Sequence, residues 1–203
     1  MTREEELRVI ERVLAGDTNA FEQIVLAHQK NIYNLALKMV GNPDDAFDIT
    51  QDAFLRAYNS LSGFHGDSKL SVWLYRLTSN ICIDFLRKKK RRNEISLTVQ
   101  DDDEEDQLLQ IPDERFSPET EVERAEQREA IRTGLMQLPE NDRQILVLRE
   151  LNGLSYEEIA ETLDLELGTV KSKLFRARKK LCSFLLKDGN FSQDSPSKGG
   201  KEV

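Results

Sequence analysis

Histidine, tryptophan and cysteine are all scarce in this chain of 203 residues: two His, one Trp and two Cys. His28 and His65 stand far apart, and neither neighbours a residue pattern that would make it a catalytic base. No glycine-rich phosphate loop and no nucleophile elbow is present, so an enzyme has no support in these residues. Cys82 and Cys182 lie a hundred positions apart and match no metal-ligand or redox spacing. They are expected to be buried thiols of a reducing cytoplasm. The acidic run at 101–106 (DDDEED) lacks the glycine and spacing of a calcium loop. No metal and no cofactor is expected. No apolar run reaches the length of a membrane span, and the opening MTREEE is not a signal peptide. A cytoplasmic protein without membrane insertion is the expectation. Strand-type alternation is missing as well, which leaves an all-α chain.

What is present is charge, unevenly placed. The chain carries 37 acids against 29 bases, a formal charge of −8. Yet Arg87 to Arg92 (RKKKRR) is six consecutive bases. From Glu94 to Glu129 there are fourteen acids and three bases. Gly168 to Leu181 (GTVKSKLFRARKKL) then holds six bases and no acid. Such segregation points to parts that meet different partners.

Helical periodicity predicts a short amphipathic helix over Arg3–Leu14. A longer one follows, capped by Asp17 or Thr18, with Phe21, Ile24, Val25, Ile32, Leu35 and Met39 on its apolar side. It stops at Gly41-Asn42-Pro43. A third helix, Asp44 to Leu61, turns Ile49, Ala53, Ala57 and Leu61 inward and Asp45, Asp48 and Asp52 outward. After the loop 62–69 a fourth runs from Ser71 to Lys90, with Leu74, Leu77, Ile81 and Phe85 as its stripe. Residues 93–118 are acidic, contain two prolines and show no stripe, as a flexible linker does. Helices resume over 119–137, and Pro139 opens another that ends at Asn152-Gly153. The tail 188–203 is rich in Ser, Gly and Lys and is expected to be disordered. The expected architecture is two small helical domains, 1–92 and 119–187, joined by that linker.

Within the second domain, Ser155-Tyr-Glu-Glu158 has the form of a reciprocal cap. Tyr156, Ile159, Ala160 and Leu163 form one apolar face. Asp164 to Glu166 makes a turn, and a second helix begins near Gly168 with Val170, Leu174, Ala177 and Leu181 inward. Two short helices with the second one basic make a helix-turn-helix. Its far face holds Ser172, Phe175, Arg176 and Lys179, with Lys171 beside them. Cations neutralise phosphates and bond guanine edges, serine reaches either base type, and an apolar ring meets a thymine methyl. A purely solvated face explains the bases but leaves Phe175 without a purpose.

LPENDRQILVLRELNGLSYEEIAETLDLELGTVKSKLFRAR resembles region 4 of a bacterial sigma factor. DAFDITQDAFLRAYNSL and SKLSVWLYRLTSNICIDFLRKKKR resemble region 2 of the same family. The combination is similar to the extracytoplasmic-function (ECF) group of the sigma-70 family, which keeps regions 2 and 4. The resemblance covers about Ala20 to Arg92 and Glu119 to Leu186. It implies a non-catalytic subunit of RNA polymerase, acting in a stress or envelope response, that binds core enzyme through the β′ coiled coil and the β flap. It implies promoter DNA as the second partner, both duplex and single-stranded, and an anti-sigma factor as a third.

By that resemblance, region 4 reads the −35 element through Thr169, Lys171, Ser172, Lys173, Phe175, Arg176 and Lys179. Region 2 docks on polymerase through Asp45, Asp48, Gln51 and Asp52. Carboxylates in a row on one helix suit a partner carrying arginines. The −10 element is opened and held by Phe64, His65, Lys69, Trp73, Arg76, Asn80, Arg87 and Lys88. Bases that leave the stack need aromatic faces, donors and a basic groove; Tyr75 is a further aromatic of that segment.

Phe47, His65 and Leu70 depart from the family pattern, the last two with consequences for specificity. Phe47 stands where an acid is usual, either as an extra apolar contact or as a repacked core residue. His65 replaces a common arginine, and Leu70 a common aromatic. Trp73-Leu74 supplies one ring where primary sigma factors carry a tryptophan pair. The acidic linker is either a nucleic-acid mimic lying in a polymerase channel or a solubilising tether. The rival class is a dimeric helix-turn-helix repressor. It accounts for 155–181 but leaves Phe64, Trp73, Arg76, Asn80 and RKKKRR unexplained.

Overall fold

The computed structural model describes residues 1–95 and 118–187, and no strand occurs among them. Helix α1 (Arg3–Leu14) opens on a reciprocal cap: the Thr2 amide donates to Glu5 at 2.7 Å and the Glu5 amide to the Thr2 hydroxyl at 3.3 Å. It buries Val9, Ile10 and Val13. A 3-10 turn, Thr18–Ala20, leads into α2 (Phe21–Val40). The expected cap by Asp17 or Thr18 does not form, because that turn separates both from the helix. The Asp17 carboxylate instead accepts from Arg12 at 2.6 Å, and the guanidinium lowers its pKa.

α2 buries Ile24, Ile32, Leu35 and Met39, and also His28. The His28 ring lies 3.1 Å from the Glu6 carboxylate, so this histidine ties α1 to α2. Gly41 ends the helix at φ +82°, where it adopts the left-handed conformation without a Cβ penalty. One residue later Asn42 accepts from the Asp45 amide at 2.9 Å and caps α3 (Pro43–Ser60). α3 begins with Pro43 at the first helical position, as proline's fixed φ and missing N–H favour.

α4 (Leu70–Ile95) runs past the expected end at Lys90. Its core side holds Leu74, Tyr75, Ile81 and Cys82. Tyr75 is 7% exposed, so its ring belongs to the interior and not to a base-holding surface. Helices α1 to α4 form the first bundle.

The second half comprises α5 (Pro118–Met136), α6 (Glu140–Leu146), α7 (Tyr156–Leu163) and α8 (Leu167–Lys187). After α6 one π turn, Val147–Leu151, carries the chain to Gly153 at φ +69°. Most of the expected linker 93–118, and the tail 188–203, lie outside the described residues. The linker's two ends are helical, in α4 through Ile95 and in α5 from Pro118.

The halves pack on one another. α2 contacts α5 and α6, α4 contacts α6 and α7, and the buried apolar residues of both halves join in one cluster. Arg143 of α6, 6% exposed, sits at the junction. It donates to the Met39 carbonyl of α2 and, within its own half, to Met136 O at 2.9 Å and Leu138 O at 3.2 Å. Burial lowers the pKa of this guanidinium, and the carbonyls compensate its lost hydration.

Candidate nucleic-acid and polymerase interfaces

The helix-turn-helix is built from its first turn upward. The Ser155 amide donates to Glu158 at 2.8 Å and the Glu158 amide to the Ser155 hydroxyl at 3.1 Å, so the reciprocal cap forms as expected. Asp164 takes φ +52° and turns the chain from α7 into α8. Val170, Leu174 and Ala177 are fully buried and fix the orientation of α8.

On the opposite side Lys171, Ser172, Phe175, Arg176 and Lys179 are exposed together. Phe175 is 69% exposed, the highest value among the exposed large apolar side chains of the described residues. Thr169 and Lys173 stand half-buried at the edges of this face.

The six bases of this segment divide by role. Arg178 binds the Glu150 carboxylate at 2.6 Å, which raises the arginine's pKa. Lys180 binds Asp142. Both hold α8 onto α6 and the turn after it, while Lys171, Arg176 and Lys179 remain on the outward face and Lys173 stands half-buried at its edge.

The residues expected at the −10 element gather at the start of α4 and along its polar side. Phe64 and Trp73 meet with ring centres 5.3 Å apart and planes tilted by 49°. Both are partly buried against the core, so Trp73 is neither a core tryptophan nor a free one. His65, Lys69, Arg76, Asn80, Arg87 and Lys88 are exposed. The loop is fastened from α1, where Arg3 donates to Gly66 O at 2.6 Å. Leu70, replacing a common aromatic, is 1% exposed and anchors the helix start in the core.

The acidic face of α3 is less uniform than its spacing implies. Asp45 pairs with Lys89 of α4 at 3.1 Å, and Asp52 pairs with Arg56 one turn on at 2.9 Å. Asp48 and Gln51 are exposed. Phe47 is 59% exposed, so it is not a repacked core residue. With Leu55, Phe21 and Tyr58 it borders an apolar hollow of about 450 Å³ between α2 and α3. Phe21 and Tyr58 meet edge to face at 5.2 Å on its floor.

Cys82 is buried, and burial pushes its thiol up to about 12. Cys182 is exposed, contrary to the expectation that both thiols are buried, because α8 turns it away from Leu174 and Leu181. No group of three or more metal-ligating side chains comes together among the described residues. Among the same residues no helix is long and apolar enough to cross a membrane.

Comparison with known proteins follows the same division of the chain. The family description "Sigma-70 region 2" matches residues 24–92, and "Sigma-70, region 4" matches residues 128–181. The chain is 37% identical to the RNA polymerase sigma-H factor of Pseudomonas aeruginosa, over 88% of this chain and 93% of that one. It is 37% identical to the ECF RNA polymerase sigma factor SigW of Bacillus subtilis, over 85% and 92%. Among solved structures, the sigma factor RpoE of Bartonella quintana, in complex with the anti-sigma factor NepR, superposes with a TM-score of 0.64 at 25% identity. That match covers 83% of this chain and 98% of that one. CnrH, solved with the cytosolic domain of CnrY, shares the fold at a TM-score of 0.62 and 24% identity, over 89% of this chain and 96% of that one. The chain belongs to the ECF group of the sigma-70 family.

Proposed function

We propose that this chain is a promoter-specificity subunit of RNA polymerase that binds core enzyme, directs it to −35 and −10 elements and assists strand opening. It performs no chemistry itself. The observation that carries this reading is the exposed face of α8, where Phe175 stands among Lys171, Ser172, Arg176 and Lys179 on a capped helix-turn-helix. A solvent-facing phenylalanine in that setting is best used against a thymine methyl in a major groove. The repressor reading accounts for α8 equally well. It gives no use to Phe64 and Trp73 meeting beside Arg76 and Asn80 on α4.

In this reading residues 1–92 form the polymerase-binding and −10 module, 119–187 the −35 module and 93–118 the connection. Asp48 and Gln51 meet the β′ coiled coil, and Phe47 adds an apolar contact beside them. Asp45 and Asp52 join that surface by exchanging their present partners, Lys89 and Arg56, for polymerase cations. Lys69, Arg87 and Lys88 neutralise phosphates near the opened bases, with His65 beside the captured one. The protein acts in the cytoplasm, where the polymerase is, and an anti-sigma partner of the kind seen with the Bartonella relative restrains it.

Run-off transcription with purified core polymerase against a library of promoters tests the assignment. Initiation from a defined subset only when this chain is present is the expected result. Selective operator binding by the chain alone, with no effect on initiation, would replace it with the repressor reading.

A further inference from the structure

Helix α1 lies outside both matched segments, 24–92 and 128–181, yet it touches the loop assigned to the −10 element. The Arg3 guanidinium donates to Gly66 O at 2.6 Å. One turn further along the same side of α1, Leu7 lies against the same residue: a Cβ on Gly66 would stand 3.5 Å from its Cδ2. Gly66 takes φ +79°, in the left-handed region, and is half-buried between two exposed neighbours, His65 and Asp67.

The two ends of the loop are fixed from within their own segment. The Phe64 amide donates to Leu61 O at 3.0 Å, and Lys69 O accepts from the Val72 and Trp73 amides at 3.0 and 3.2 Å. The middle of the loop is held from α1. That helix is a firm base for the contact. Val9, Ile10 and Val13 bury its core side, and the Thr2–Glu5 cap fixes the turn that carries Arg3. One turn of helix holds both Arg3 and Glu6, and Glu6 meets His28 of α2 at 3.1 Å.

We propose that α1 is a brace for base capture: Arg3, with Leu7 beside it, holds Gly66 so that Phe64 and His65 are already in place when a −10 base leaves the stack. Arg3 acts through the loop and not on the base itself, so it is a positioning residue for −10 specificity. The proposal rests on the sigma-factor reading above and extends its −10 site to a helix outside the matched segments. A loop fixed at three points loses little freedom when a base enters it. A loop fixed only at its ends can repack around the wrong base, and the difference in affinity between right and wrong bases shrinks. The charge on Arg3 makes its bond to the carbonyl stronger than a neutral one.

Run-off transcription with core polymerase, on promoters varied one base at a time through both elements, tests the brace. In Arg3→Ala the preference at the captured −10 base should fall at least about fivefold, with −35 preferences and core affinity as in wild type. Arg3→Lys should restore part of that preference, because an ammonium can still donate to Gly66 O. An unchanged −10 preference in Arg3→Ala overturns the brace. So does an equal loss at both elements, which a generally weakened fold would give. Absence of initiation by wild type with core overturns the sigma-factor reading instead, so the two failures are distinct.

Amide hydrogen exchange in the free chain tests the same contact without polymerase. Residues 64–68 should exchange at least about fivefold faster in Arg3→Ala than in wild type, while α2 exchanges at the same rate in both. Equal exchange at 64–68 overturns the brace whatever transcription shows.

Discussion

The Lys69 ammonium and the Glu158 carboxylate stand 2.8 Å apart across the two halves of the chain. The lysine, and next the Ser155 amide, hold the Glu158 carboxyl below its ordinary range. A carboxyl with a lowered folded-state pKa contributes stability above its unfolded value of about 4.3. That contribution is lost as pH falls through the lowered folded value. Urea unfolding of wild type and Glu158→Gln should therefore differ by about 0.5 kcal/mol at pH 7, the exposed pair, since glutamine can still accept from the Ser155 amide. The difference should hold down to about pH 5 and shrink at pH 3. A difference that persists undiminished at pH 3 contradicts this account of the pair.

Arg143 is buried, and its bonds go to carbonyls at the ends of α2 and α5 and in the turn before α6. Arg143→Ala should cost about 2–4 kcal/mol, since a cavity and several unpaired acceptors remain. Arg143→Lys should recover little, because one ammonium cannot reproduce the planar fork. Chemical denaturation of the three proteins decides; full rescue by lysine would show that charge alone matters there.

Arg176 and Arg178 are close neighbours with opposite assignments. Arg178→Ala removes an exposed pair with Glu150 and should lower stability by at most about 1 kcal/mol while promoter selection survives. Arg176→Ala should leave stability unchanged and reduce use of the cognate promoter by about tenfold or more, with core binding intact. Parallel melting curves, run-off assays and core pull-downs separate the two. A loss of core binding in Arg176→Ala would contradict the assignment of α8.

On α3, Asp48→Arg/Asp52→Arg should abolish competition for core polymerase while the helical circular dichroism is retained. Phe47→Ala should weaken core binding by about tenfold, the scale of one apolar anchor at an interface. Undiminished affinity in the double charge reversal would remove α3 from the docking surface.

Thiol chemistry gives a check on the packing of α4. One thiol, Cys182, should react with Ellman's reagent in the native state. Cys82, buried and pushed up to about 12, should react only in denaturant. Two fast thiols in native buffer would mean that the α4 core is open.

Much of the fold was legible because helices and caps are local. α1 matched residue for residue, α3 came within one position at each end, α7 matched from its Ser155 cap to Leu163, and α8 began within one position of Gly168. Ser155 lies within three residues of the amide it caps, so short spacing carries the information there. The outward face of α8 followed from 3.6-residue periodicity, with Phe175 as the residue that broke the pattern of charge.

Other features depended on distance in space. His28 and Tyr75 look amphipathic in sequence and proved buried, one by a carboxylate 22 positions away. The split of the α8 bases into those that hold the helix and those that face outward needed Glu150 and Asp142 to be placed. Asp45 read as an outward acid until Lys89 arrived beside it from another helix.

By itself, then, the order of residues determined most of the helices, the Ser155 cap and the two basic surfaces, because hydrogen bonds within a turn and one-sided hydrophobicity act over a few positions. Only the tertiary structure decided that the two halves close on each other through Arg143, Met136 and the Lys69–Glu158 pair. No local pattern encodes which distant carbonyl receives an arginine, since that choice is made by packing among elements up to a hundred residues apart.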